Sequence, residues 1–162
     1  MTDPIPELSS EGVSSKVAVA GHPIHAMLVA FPIALVMATL ACDALYWWDG
    51  DPFWVRAGLW ASGAAFILGL AAGLSGTAEL LLVRGIRRHS AGWTHFVAAV
   101  MLLSVAGANW GLRLQQGEAA LLPWGGFLSL LAAFFVGLAG WHGGKLVFEH
   151  QIGLMVSERE DS

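Results

Sequence analysis

Four long apolar runs, joined by short polar connections, constrain the fold of this chain more than any other feature. They cover about Ile24–Trp48, Trp54–Val83, Trp93–Leu112 and Pro123–Val147. Each run is long enough to cross the roughly 30 Å hydrocarbon core of a bilayer as a helix. Only 12% of the residues are charged, about half of the fraction that soluble domains carry. The sequence therefore predicts an all-α fold, a four-span transmembrane up-down helix bundle.

The polar residues are concentrated at the two ends of the chain. Residues 1–20 are predicted to form a flexible tail, residues 21–150 the four-helix transmembrane domain, and residues 151–162 a second polar tail. The formal net charge of -4 comes largely from these tails. The chain has no basic patch of the kind that nucleic acid requires. The lipid bilayer is therefore the expected partner, and a nucleic acid is not.

The basic residues indicate how the bundle is oriented. With four spans, both termini and the connection between the second and third spans share one side, which carries Lys16, Arg84, Arg87, Arg88, Lys145 and Arg159. The other side carries only Arg56 and Arg113, the latter at the start of a predicted polar loop. Because loops rich in Lys and Arg stay in the cytoplasm, both termini are predicted to be cytoplasmic, in a multi-pass protein of the inner membrane.

Glycine spacing in the second and fourth runs predicts close contacts between helices. Gly69 and Gly73 are four residues apart, and so are Gly140 and Gly144. Such pairs let helix backbones approach each other closely in membranes. They predict tight packing within the bundle, and the same pattern is compatible with a homo-oligomer.

All six histidines fall on the predicted cytoplasmic side: His22, His25, His89, His95, His142 and His150. Imidazole is the commonest side-chain ligand of metal ions, and it also holds haem iron. His25 and His95 differ from the others because both lie just inside apolar helix. The first and third spans of an up-down bundle are diagonally opposite. We therefore expect these two side chains to face each other across the centre at similar depth.

Three functions fit this histidine layer. In the first and preferred one, His25 and His95 are axial ligands of haem b in a cytochrome-like protein. It would pass electrons between a membrane quinone and a partner protein without being an enzyme on its own. In the second, a non-haem zinc, copper or iron ion is bound by His22, His25, His95 and His150. In the third, the histidines only anchor the helices of a structural subunit without a cofactor.

Other polar residues lie near the ends of the spans. Glu79 is the most deeply placed carboxylate on the cytoplasmic side, and it or Glu149 could act as a hard metal ligand or its hydrogen-bond partner. A pairing of Glu79 with Arg84 or with a histidine is preferred to a role in proton transfer. Near the opposite face, Asp43 and Asn109 are interpreted as structural residues that form hydrogen bonds between helices.

Two segments resemble the motifs of a known family. His22–Pro32, with the sequence HPIHAMLVAFP, resembles the opening motif of bacterial membrane proteins catalogued as domain of unknown function 2231. Gly143–Gly153, with the sequence GGKLVFEHQIG, resembles the closing motif of that family. The resemblance implies a four-span bundle in the bacterial inner membrane, with shared polar positions at His22, His25, His95 and His150. Some members are fused or adjacent to Rieske-type and other redox proteins, which favours electron transfer.

Overall fold

The computed structural model describes residues 15–148, and this part of the chain is almost entirely helical. Its elements are β1 (Ala18–Val19), β2 (His22–Pro23), α1 (Ile24–Asp49), α2 (Pro52–Leu82), α3 (Arg84–Arg88), α4 (Ser90–Gln116) and α5 (Gly126–Phe148). The strands β1 and β2 pair antiparallel as a minimal hairpin before α1. Helix α3 is a single short turn between α2 and α4. The predicted all-α class is confirmed.

Local sequence determines where α1 ends and α2 begins. Gly50 adopts a left-handed conformation (φ 71°) and donates its N–H to the Tyr46 carbonyl, which terminates α1. Pro52 then occupies the first turn of α2, where its missing N–H is not needed. Asp51 caps the same turn by accepting a hydrogen bond from the N–H of Phe53. Because two residues separate the helices, α1 and α2 pack side by side and antiparallel.

A bent connection joins α4 to α5. It consists of a 3₁₀ turn over Gly117–Ala120 and a π-helical turn over Leu121–Gly125, in which Leu122 is extended (φ -122°, ψ 128°). When this connection is counted as continuous, the described residues contain three helices long and apolar enough to cross a membrane: Ile24–Asp49, Pro52–Leu82 and Ser90–Phe148. The break at Leu122 divides the last of these into α4 and α5.

The four long helices form a ring of neighbours. Helix α1 packs most extensively on α2, α2 also packs on α4, α4 on α5, and α5 on α1. As predicted, α1 and α4 are therefore diagonal. A small apolar core fills the centre, formed by Val36, Ala65, Val105 and Ala132. Large apolar side chains such as Trp60 and Phe134 are exposed on the outside, which is the pattern expected when lipid covers the surface.

One of the two predicted glycine pairs makes a close helix contact. Leu103 of α4 lies against both Gly69 and Gly73 of α2, so that added Cβ atoms would be 2.7 and 3.1 Å from its methyl groups. Among the residues that the structure describes, a Cβ at Gly140 would meet nothing within 4 Å. Gly69 and Gly73 therefore set the spacing between α2 and α4, whereas Gly140 has no such role among residues 15–148.

Helix α4 extends further than the hydropathy pattern predicts. The third span was expected to end near Leu112 and to be followed by a polar loop from Arg113, but the helix continues to Gln116. The Arg113 side chain lies inside the bundle and is only 2% exposed. Its assignment to a surface loop is wrong, because a buried carboxylate neutralises its charge within the helical layer.

Candidate functional site

His25 and His95 face each other between the diagonal helices α1 and α4. His25 is the second residue of α1, and His95 lies in the second turn of α4. Their ring centroids are 6.0 Å apart and the ring planes are nearly perpendicular, at 84°. Both side chains are half-buried. The prediction that the two imidazoles meet across the bundle is confirmed.

Main-chain carbonyls of the two remaining helices hold these rings in place. The Nδ1 atom of His25 is 2.8 Å from the carbonyl oxygen of Ala72 in α2, and Nδ1 of His95 is 2.8 Å from that of Ala139 in α5. A carbonyl oxygen can only accept a hydrogen bond, so each Nδ1 carries the proton and donates it. In the neutral rings, Nε2 then keeps its lone pair, and it is the nitrogen available to a ligand.

Two glycines make room for the rings, and the sequence analysis gave them no role at the site. A Cβ on Gly76 of α2 would lie 2.7 Å from Nδ1 of His25, and a Cβ on Gly143 of α5 would lie 3.1 Å from Nδ1 of His95. The helix backbones therefore close directly onto the imidazoles. A signal was present in the sequence, since Gly76 stands four residues after Ala72, whose carbonyl accepts the hydrogen bond of His25, on the same helix face.

Three other histidines lie within the described residues, and the hydrogen bond of each goes to a partner outside this pair. His22 is exposed, and its Nδ1 donates to the carbonyl oxygen of Ala20 within the hairpin turn. Nδ1 of His142 lies 3.3 Å from the Thr94 hydroxyl, and His89 donates to the Gly85 carbonyl. His150, the fourth predicted ligand, lies outside the described residues. Within residues 15–148, no three or more His, Cys, Asp or Glu side chains are grouped closely enough to hold a metal ion.

Glu79 is bound by the N-terminal segment. Its carboxylate accepts hydrogen bonds from the main-chain N–H of Val17 (2.6 Å), from the hydroxyl of Ser15 and, at 3.4 Å, from the N–H of Lys16. The predicted pairing with Arg84 or a histidine is wrong for the described part of the chain, in which the one ion pair is Arg113–Asp43. Almost any residue of a polar tail can offer a main-chain N–H, so composition does not indicate which residues bind Glu79.

A second polar cluster lies at the opposite end of the bundle, and we call it the Arg113 cluster. Its members are Asp43 of α1, Asn109 and Arg113 of α4, and Ser129 of α5. Nη2 of Arg113 donates to both carboxylate oxygens of Asp43, at 2.8 and 2.7 Å, and its Nε donates to Oδ1 of Asn109 at 2.9 Å. The interpretation of Asp43 and Asn109 as hydrogen-bonding residues between helices is confirmed.

Ser129 completes the Arg113 cluster. Its hydroxyl donates to Asp43 at 2.6 Å and accepts from Asn109 at 2.9 Å and from Arg113 at 3.1 Å. All four side chains are buried, and Ser129 is 1% exposed. Among the described residues, the buried Nη1 of Arg113 has no acceptor, and it faces Gly58 of α2, where a Cβ would lie 2.9 Å away. Neither Ser129 nor Gly58 was expected at such a cluster, and Arg113 was expected in a polar loop.

Long apolar helices, lipid-facing side chains and buried polar pairs together define an all-α membrane protein. The chain belongs to the DUF2231 family of predicted membrane proteins, whose family model matches residues 21–155. The resemblance seen in the sequence motifs is thereby confirmed. No curated protein and no solved structure shows a significant match to the chain.

Proposed function

We propose that this protein binds a transition-metal ion between His25 and His95, at one end of its helical bundle. The observation that carries the proposal is the pair of hydrogen bonds from the two Nδ1 atoms to main-chain carbonyls. Histidines that bind metals almost always donate their second ring N–H to such an acceptor, which fixes the tautomer and the orientation of the ring. The two imidazoles are held in the same manner.

The spacing of the rings fits one ion. Metal–imidazole bonds are about 2 Å long, so an ion shared by two ring nitrogens requires ring centroids roughly 5–6 Å apart, depending on the angle at the metal. The separation in the structure is 6.0 Å. Neutral imidazole suits zinc, copper and iron. His25 and His95 would hold the ion, and the half-buried position between helices would limit its exchange with water.

Haem b is the second candidate, with His25 and His95 as axial ligands and a quinone and a redox protein as electron partners. The diagonal position of the two histidines favours it. A macrocycle between them, however, must spread sideways toward α2 and α5, whose backbones at Gly76 and Gly143 lie against the rings. Haem therefore fits only if these two helices move apart, and a single ion needs no such movement. This difference is why we place the ion first.

We further propose that α1, α2, α4 and α5 each cross a bacterial inner membrane, with both termini in the cytoplasm. The shortest of them has 23 residues, about 34 Å of helix at 1.5 Å per residue. Of the two basic residues on the opposite side, Arg113 is buried in an ion pair, so that Arg56 is the remaining exposed basic residue there. Reporter fusions after Gly50 and after Ser162 would test this orientation, and a periplasmic C-terminus would contradict it.

Metal content and absorption spectra of the purified protein test the site. We would measure wild-type protein and the variants His25→Ala, His95→Ala and His142→Ala in detergent, air-oxidised and then reduced with dithionite. His142→Ala is the control for a neighbouring histidine, because His142 lies near His95 but its hydrogen bond is with Thr94. Nearly one ion per chain is expected in the wild type and the control, with loss of the ion in the other two variants.

Two other outcomes would replace this proposal. A reduced b-type haem spectrum that disappears in His25→Ala and His95→Ala would establish the cytochrome. Equal metal content in all four proteins, with no haem, would show that the histidines only anchor helices at the membrane interface.

A further inference from the structure

A short strap precedes the hairpin and ties the N-terminal segment to α2. The strap is Ser15–Val17, and two hydrogen bonds of Val17 define its course. The N–H of Val17 donates to Glu79 at 2.6 Å, and its carbonyl oxygen accepts from the N–H of Ile24 at 3.1 Å. The strap therefore joins the last turn of α2 to the first turn of α1, directly beside His25.

Glu79 lies on the same face of α2 as the residues that contact His25. Ala72, Gly76 and Glu79 follow the spacing of one helix face, the first two in contact with the imidazole. Three residues of helix separate Glu79 from Gly76, a rise of about 4.5 Å. The carboxylate thus belongs to the turn next to the histidine pair.

The strap offsets the free-energy cost of burying the Glu79 carboxylate at this position. Glu79 is 9% exposed and stands in the last turn of α2, where the helix dipole disfavours negative charge. No cation among the described residues forms an ion pair with it. Hydrogen bonds to a carboxylate are stronger than those between neutral groups, so the donors of Ser15 and Val17 supply the compensation. If they leave, the carboxylate needs another partner.

We infer that the strap and a metal ion compete for the Glu79 carboxylate. This inference rests on the proposed metal site at His25 and His95. Two imidazoles and one carboxylate form a common ligand set for divalent ions, and with the strap in place only the two imidazoles are assembled. When the ion takes Glu79 as its third ligand, the strap loses its anchor on α2. Because coupling between two binding events is reciprocal, a weaker strap must strengthen metal binding.

Zinc alone is a suitable probe because it has no redox chemistry. We would titrate the full chain in detergent with Zn²⁺ and follow hydrogen exchange of the strap amides by mass spectrometry. The wild type is expected to show several-fold faster exchange at residues 15–17 once zinc is bound, and His95→Ala no change.

Ser15→Ala should bind zinc about three- to tenfold more tightly, because one hydrogen bond that competes for Glu79 is lost. Glu79→Gln should bind it at least tenfold more weakly.

Ser104→Ala is the matched control for Ser15→Ala, since Ser104 is exposed and bonds only to Val100 in its own helix. Its zinc affinity should equal that of the wild type. Zinc binding that requires His25 and His95, but leaves strap exchange and the Glu79→Gln affinity unchanged, overturns the competition while the metal site stands. If neither the wild type nor Ser15→Ala binds zinc, the metal site and the competition fail together.

Discussion

Two polar pairs join the same diagonal helices at opposite ends of the bundle, and they are built in opposite ways. Eighteen residues separate His25 from Asp43 in α1, and eighteen separate His95 from Arg113 in α4. That interval is about five helical turns and about 27 Å, so each helix presents both of its polar residues on one face, at a spacing close to the roughly 30 Å thickness of a hydrocarbon core.

The difference lies in what satisfies each pair. In the Arg113 cluster, side chains satisfy one another, with Asp43 accepting from both Arg113 and Ser129. In the histidine pair, the partners are main-chain carbonyls of the neighbouring helices, and a nitrogen of each ring is left for a ligand. An ion pair whose two members bond to each other suits the holding of helices together. A neutral pair with free lone pairs suits binding.

Loss of the guanidinium should therefore be the most damaging change in the bundle. Arg113→Ala leaves Asp43 as a buried, unpaired carboxylate, and we expect it to lower the free energy of unfolding by about 3–5 kcal/mol. His25→Ala removes a side chain that belongs to no ion pair among the described residues, and it should lower the free energy of unfolding by less than half as much. Denaturant titration of both variants in mixed micelles measures the difference.

The double variant Asp43→Ala/Arg113→Ala sharpens this comparison. Because the second change removes the unpaired charge, it should cost no more than Arg113→Ala alone. Equal losses of unfolding free energy in His25→Ala and Arg113→Ala would contradict the distinction between a structural and a binding pair.

Gly58→Ala should disturb the Arg113 cluster by crowding it. The new methyl group would lie 2.9 Å from Nη1 of Arg113. Hydrogen bonds to Asp43, Asn109 and Ser129 hold the guanidinium, so it cannot easily move away. Such overpacking costs about 1–3 kcal/mol. Gly111→Ala is the control, because a Cβ there meets no described atom within 4 Å. It should be neutral or slightly stabilising in the same titration, and equal losses in both variants would argue against a rigid guanidinium.

Ser129→Ala should have a smaller effect than Arg113→Ala. Asn109 and Arg113 each lose one acceptor, and Asp43 loses one donor but keeps the guanidinium. Buried polar groups left without partners cost about 1–3 kcal/mol in all. Ser104→Ala, which alters an exposed hydroxyl bonded within its own helix, should change stability by less than about 0.5 kcal/mol. Thermal unfolding in detergent would show whether these two serine variants differ.

The sequence predicted the two ends of the bundle unequally well, for a physical reason. Apolar length locates the helices, and the position of His25 and His95 just inside apolar helix was enough to pair them. Arg113 follows an apolar run, and a charge in that position is typical of a membrane surface. Its partner Asp43 is 70 residues earlier in the chain, so only the packing of α1 against its neighbours reveals that the charge is neutralised inside.

Backbone partners are the other class of contact that side-chain patterns do not show. Glu79 was expected to find a basic residue, and it binds main-chain N–H groups of the strap instead. The carbonyls of Ala72 and Ala139, which orient the two histidines, likewise cannot be identified from the sequence. Every residue has a main-chain carbonyl, and every residue except proline has an N–H, so their use is decided by tertiary structure.

Gly76→Ala should have the smallest effect on stability and yet a clear effect on binding. The added methyl group would lie 2.7 Å from the ring of His25, but this side chain can rotate away. The helix gains from the replacement of glycine by up to about 1 kcal/mol, which offsets much of the strain. The displaced ring loses its hydrogen bond to Ala72, and disruption of such an orienting partner typically lowers metal affinity about 10- to 100-fold. Gly140→Ala, on a helix surface without a neighbour, should leave zinc affinity unchanged. If zinc affinity is the same in both variants, the space at Gly76 does not orient a metal ligand, and the histidine pair resembles the Arg113 cluster in holding helices together.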